Sequence, residues 1–133
     1  TMTGNFTTSG NIVANLVTSN NSMVIGTTSV VGLGSNTYTT SSTSQVAVDN
    51  FSTSVYRTAD YQISITSGTS YHVTEISVLH DGTSVWMDQY SEMFTGSSLG
   101  TFDATISAGN LNLLFTPTNA TTTVNLVRTS ISV

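Results

Sequence analysis

From residue 45 onward, apolar and polar side chains alternate with a period of two, the spacing of strands that turn one face to a core and the other to water. Tyr61, Ile63 and Ile65 share one parity, separated by Gln62 and Ser64, and Ile76 and Val78 lie on either side of Ser77 before Leu79. His80-Asp81-Gly82-Thr83 then interrupts the pattern ahead of residues 85–90. An Asp-Gly pair between two such runs predicts a hairpin, because these residues tolerate the left-handed backbone of a tight turn. Phe102, Ala104 and Ile106 predict another strand, Ala108-Gly109-Asn110 a turn, residues 111–116 a strand, residues 117–120 a turn and residues 124–133 one or two closing strands. Roughly seven or eight strands at this spacing, with no helical periodicity between them, predict an antiparallel β-sandwich or jelly roll.

The preceding stretch is different in kind. Short apolar segments at residues 12–17, 23–25 and 30–33 are punctuated by Gly4-Asn5, Gly10-Asn11, Asn20-Asn21 and Gly32-x-Gly34, which read as turns. Gly4-Asn5-Phe6 recurs as Gly10-Asn11-Ile12, a six-residue step of the kind found in β-spiral shafts. The first charged residue is Asp49. The chain therefore divides into an uncharged Thr/Ser/Asn-rich β arm or stalk at 1–48 and an antiparallel sandwich at 49–133. So few large apolar side chains cannot close a core over the arm alone, whereas three copies wound together can each bury one row against a common axis. Phe6, Ile12, Leu16, Met23, Ile25 and Val31 are the residues expected to turn toward partner chains in a homotrimer.

Composition supports an ordered chain. Thr, Ser and Asn make up more than two residues in five, only 7% are charged and there is a single Pro, while a disordered chain is rich in charge and Pro and poor in β-branched residues. Arg57 and Arg128 are the only cations and the net charge is -5, so the counterion release that drives nucleic-acid binding is essentially missing, and anionic membrane surfaces are disfavoured for the same reason. No apolar run approaches the roughly 20 residues that span a bilayer. The absence of Cys excludes disulfides, thiolate catalysis and Cys-type zinc sites. Thr1 ahead of Met2 fits an excerpt of a longer chain or a processed end. With so few charges, at least one arginine is expected to be partly buried against a carboxylate such as Asp60 or Asp103.

Several patterns imitate chemistry. Gly96-Ser97-Ser98-Leu99-Gly100 has the spacing of a nucleophile elbow, which needs a strand-to-helix turn with Asp and then His downstream. A strand follows instead, and His72 and His80 both precede Ser98. The two histidines share a parity, but eight residues of strand hold them roughly 26 Å apart, too far for one metal ion, and they read as surface or interface residues. The sparse carboxylates, Glu75, Asp81, Asp88, Glu92 and Asp103, form neither a calcium loop nor a marked glycosidase pair. The four Asn-x-Ser/Thr sequons are what this composition yields by chance. No catalytic residue, metal or cofactor is assigned. Trp86, Asp88 and Tyr90 share one face of their strand and are the candidate glycan-stacking residues, although a lone Trp in a small sandwich is expected to pack in the core.

Residues 49–65 (DNFSTSVYRTADYQISI) resemble a module of virion structural proteins of tailed phages, especially cyanophages. EISVLHDGT at 75–83, TGSSLGTFDA at 95–104, LLFTPTNA at 113–120 and Val127-Arg128-Thr129 resemble the same module in the same order. The resemblance covers residues 45–133 and implies a β-sandwich tip or knob of a tail fibre, head fibre or capsid decoration protein. It implies a non-enzymatic appendage displayed on the virion surface; taken with the uncharged arm, the Trp86 face and the charge balance, the expected partners are copies of itself, other virion proteins and a host-surface glycan, and neither nucleic acid nor membrane.

Overall fold

In a computed structural model, the backbone of residues 22–25 and the whole of residues 30–133 are described. Among them are nine strands: β1 (Ser22–Ile25), β2 (Val31–Thr39), β3 (Val46–Ser52), β4 (Tyr56–Ser67), β5 (Ser70–His80), β6 (Val85–Phe94), β7 (Gly100–Ser107), β8 (Asn110–Pro117) and β9 (Thr123–Ser132). All pairings are antiparallel and build a six-stranded sheet, ordered β1-β2-β9-β4-β5-β6, facing a three-stranded sheet, ordered β3-β8-β7. The protein is an all-β antiparallel sandwich.

The alternation from residue 45 onward does what it predicts. Tyr61, Ile63 and Ile65 of β4, Ile76 and Val78 of β5, and Val124 and Leu126 of β9 are buried against Val48 and Phe51 of β3, Phe102 and Ala104 of β7, and Leu111, Leu113 and Phe115 of β8. The Asp81-Gly82 hairpin joins β5 to β6: Gly82 takes φ 103°, and Asp81 Oδ1 accepts the amides of Thr83 at 2.8 Å and Ser84 at 2.7 Å. These two amides hold the Asp81 carboxyl below the usual carboxylate range. At the β7–β8 turn Ala108 and Gly109 both adopt positive φ, 50° and 78°, as a two-residue primed turn requires.

The upstream pattern is where the structure departs from expectation. Gly32 and Gly34 do not turn the chain; both lie inside β2, which pairs with β9 along its whole length. Their missing side chains are filled by neighbours. A Cβ on Gly32 would collide with the Tyr56 ring, and one on Gly34 would lie 3.0 Å from the Arg128 guanidinium. The division expected between 48 and 49 falls inside β3, so β2 and the first residues of β3, all ahead of Asp49, already belong to the two sheets. A bulge between Ala47 and Asp49 lets Val48 and Phe51, three residues apart, both face inward. Phe6, Ile12 and Leu16 lie outside the described residues. Met23 and Ile25 are described only as backbone of the edge strand β1, and Val31 is half-buried on β2.

Candidate binding face

The two sides of the six-stranded sheet can be followed from its register. Inward stand the core residues together with His72, Thr74, His80, Arg128 and Ser130, all buried. Arg128 Nη1 reaches across to the other sheet, donating to Asp49 Oδ2 at 2.6 Å and to the Asn50 carbonyl at 2.8 Å, with its guanidinium 5.4 Å from the Phe51 ring. An arginine is thus buried against a carboxylate as its rarity suggested, but the partner is Asp49. Asp60 instead accepts from Ser77 Oγ at 2.6 Å, and Asp103 from the Ala104 amide at 2.8 Å. The buried Tyr61 lies beside the pair; burial first, and the Asp49 charge second, push its phenol well above its ordinary value.

Both histidines are inside, not on the surface. His72 and His80 are 0% and 1% exposed at opposite ends of β5. His80 Nε2 lies 2.7 Å from the Tyr56 carbonyl, to which it donates. His72 Nδ1 accepts from the Leu99 amide at 3.3 Å, its Nε2 is 2.9 Å from Glu92 Oε1 without the angle of a hydrogen bond, and its ring meets Phe94 edge-on. This brings a His and a Glu to the loop that carries Ser98, which linear order had kept apart. Yet the Ser98 hydroxyl donates to the Gly100 carbonyl at 2.9 Å, His72 Nδ1 is taken by the Leu99 amide, and Nε2 lies beside Glu92, not Ser98. The cluster as it stands fastens the 95–99 loop across the end of the sandwich. Among the described residues no three His, Asp or Glu side chains gather as a metal site, and no helix is long and apolar enough to cross a membrane.

Outward, the same sheet is unusually apolar. Tyr71, Val73, Leu79, Trp86, Tyr90, Met93, Val127 and Ile131 all lie on this side and are among the exposed large apolar residues. Trp86 is 55% exposed, so it does not pack in the core. It pairs with Leu79, Asp88 with Ser77 and Tyr90 with Glu75, which puts Trp86, Asp88 and Tyr90 in line on the solvent side of β6. Ser77 Oγ gives its proton to Asp60 and lies 3.3 Å from the Tyr90 hydroxyl, so a short polar chain orients the Tyr90 ring.

Beyond Tyr90 the strand alternation breaks. Ser91 sits at φ 51° where the β5–β6 register shifts, so Glu92 turns in toward His72 and Met93 turns out. Left-handed backbone at a serine is strained by roughly 1–2 kcal/mol, and such bulges concentrate beside functional surfaces. Nothing in the sequence marked this position, since neither Gly nor Asn stands there.

Neither a family model nor a curated protein matches the chain. Among solved structures, the fold is similar to part of the Acinetobacter phage vB_ApiP_P1 tailspike protein, with a TM-score of 0.54 and 16% identity over 98% of this chain and 26% of that one. The Acinetobacter baumannii phage AM24 tailspike protein gives 0.47 and 10% identity over 77% of this chain and 26% of that one. The first likeness is one of fold, and the chain spans about a quarter of the length of the proteins it matches.

Proposed function

We propose that the chain is a non-enzymatic structural module of a phage tail appendage, displayed on the virion surface and assembled as a homotrimer with other virion proteins. The observation that carries this reading is the fold likeness, which extends over nearly the whole chain yet only a quarter of a tailspike. A sandwich that recurs as one part of a longer appendage protein is a building block. The resemblance of residues 45–133 to virion modules points the same way. Trimerisation rests on the uncharged stretch ahead of β2, with Phe6, Ile12, Leu16, Met23 and Ile25, and on Val31 at the start of β2, against neighbouring copies. Light scattering at micromolar concentration tests it: a mass three times 14.0 kDa is expected, and a monomer would overturn it.

A second reading, that the sandwich also binds a host-surface glycan, is favoured by one observation. Trp86, Asp88 and Tyr90 stand exposed in line on an open sheet face, with a carboxylate between two rings able to stack on sugars. A glycan array tests this reading, and a chain with no selective signal would be structural only.

A further inference from the structure

Three adjoining hollows of about 700, 370 and 220 Å³ cross the outer side of the six-stranded sheet. The largest runs from Ser35 and Thr37 on β2 over Asn125 of β9 and Gln62 of β4 to Glu75 of β5 and Met93 of β6. It shares Gln62, Glu75 and Val127 with the second hollow, which Asp60 and Tyr90 complete, while Trp86 and Asp88 line the third. The path crosses four inter-strand spacings, on the order of 19 Å, and Trp86 and Tyr90 stand about 13 Å apart along β6. A short oligosaccharide fits such a path.

Its chemistry selects among ligands. The Gln62 amide supplies donors and an acceptor, and the Asn125 amide nitrogen supplies further donors, its Oδ1 accepting from Thr37 Oγ1 at 2.8 Å, while Met93 and Val127 offer apolar contact for the C–H faces of sugar rings. Three carboxylates, Asp60, Glu75 and Asp88, face outward. The chain has no lysine and only two arginines, one buried against Asp49 and the other donating from Arg57 Nη1 to the His80 carbonyl at 3.1 Å. An anionic ligand would therefore meet like charge and no counter-charge. A second copy docked face to face would oppose the same carboxylates, which argues against self-association as the use of this face.

We propose that this groove, which Tyr90 lines and beyond which Trp86 stands across the Ser77–Asp60 hydrogen bond, is a binding track for an uncharged or amino-substituted oligosaccharide. The proposal rests on the glycan reading above and deepens it by fixing the charge class and by adding the track across β2, β9, β4 and β5. The strained Ser91 bulge serves it by turning Met93 outward into the groove wall.

The test is affinity electrophoresis of the full chain in gels containing a neutral glucan, chitosan oligomers or alginate. Wild type, a Gln62→Ala/Asn125→Ala double variant and a Trp86→Ala/Tyr90→Ala double variant are compared after thermal melts establish equal folding. Retardation by the glucan or chitosan and not by alginate is expected, weakened on the order of tenfold or more by each double variant. Added salt should weaken the chitosan effect and leave the glucan effect unchanged. Retardation by alginate would overturn the charge class and leave the glycan reading standing. Loss with the Trp86/Tyr90 variant alone would overturn the track and confine binding to β6. No retardation in any gel, or a fall in solution mass on Trp86→Ala, would overturn both, the latter showing that the face is buried between copies.

Discussion

The two sides of the six-stranded sheet invert the usual division of labour. The inner side holds an arginine, two histidines and a tyrosine phenol within the core, while the outer side exposes a tryptophan, a methionine and a row of valine, leucine and isoleucine. β9 makes the contrast within one strand, since Arg128 is 9% exposed and its neighbour Val127 is 52% exposed. The three inner basic side chains each hold something, Asp49 for Arg128, the Tyr56 carbonyl for His80 and the 95–99 loop for His72, whereas the Tyr61 hydroxyl and Ser130 Oγ have no hydrogen-bond partner. The outer apolar groups make few such contacts. The inner side thus sets stability and the outer side is free for recognition, so variants on the two sides should separate these properties.

The largest effect is expected from Arg128→Ala. Removing one partner leaves the Asp49 carboxylate, whose side chain is only 15% exposed, without its counter-charge, a loss of about 3 kcal/mol by urea denaturation. Asp49→Ala should lose a similar amount, and the double variant clearly less than the sum. Tyr61→Phe sharpens the contrast through pH. A phenol raised in the folded state keeps its proton after the unfolded chain has lost its own, so its contribution is full below pH 10 or so and declines above it. Wild type should lose about 1.4 kcal/mol per pH unit more than Tyr61→Phe in that alkaline range, measured by denaturant titration at several pH values. Ser91→Gly relieves a left-handed serine and should gain about 1 kcal/mol. The smallest effect belongs to the outer face: Trp86→Ala should shift stability by no more than about 0.5 kcal/mol. A loss of several kcal/mol would mean that Trp86 is packed, and the contrast would fail.

The antiparallel sandwich was legible because alternation, an Asp-Gly pair and an Ala-Gly pair act locally, within a few residues of the structure they specify. What escaped were features set by distant partners. Gly32 and Gly34 looked like punctuation, yet their role is to leave room for Tyr56 and Arg128, far along the chain. The burial of His72 depends on Leu99 and Glu92, which linear order separates from it. Trp86 shows the complementary limit. Alternation puts Trp86, Asp88 and Tyr90 on one side of β6 but does not say which side meets the second sheet, because Val85 and Met87 with Gln89 balance Trp86 and Tyr90 with Asp88. The lack of charge before Asp49 marked a change of composition, not the edge of the sandwich, since β2 and the first half of β3 need no charge to pair.

The chain's single tryptophan gives the most direct test that the outer face stands open in the assembled protein. Acrylamide quenching of Trp86 fluorescence in the full chain should be strong in the free protein and reduced once a retarding oligosaccharide is added. Emission already shielded from acrylamide in the free protein would contradict it, because the face would then be covered before any ligand arrives.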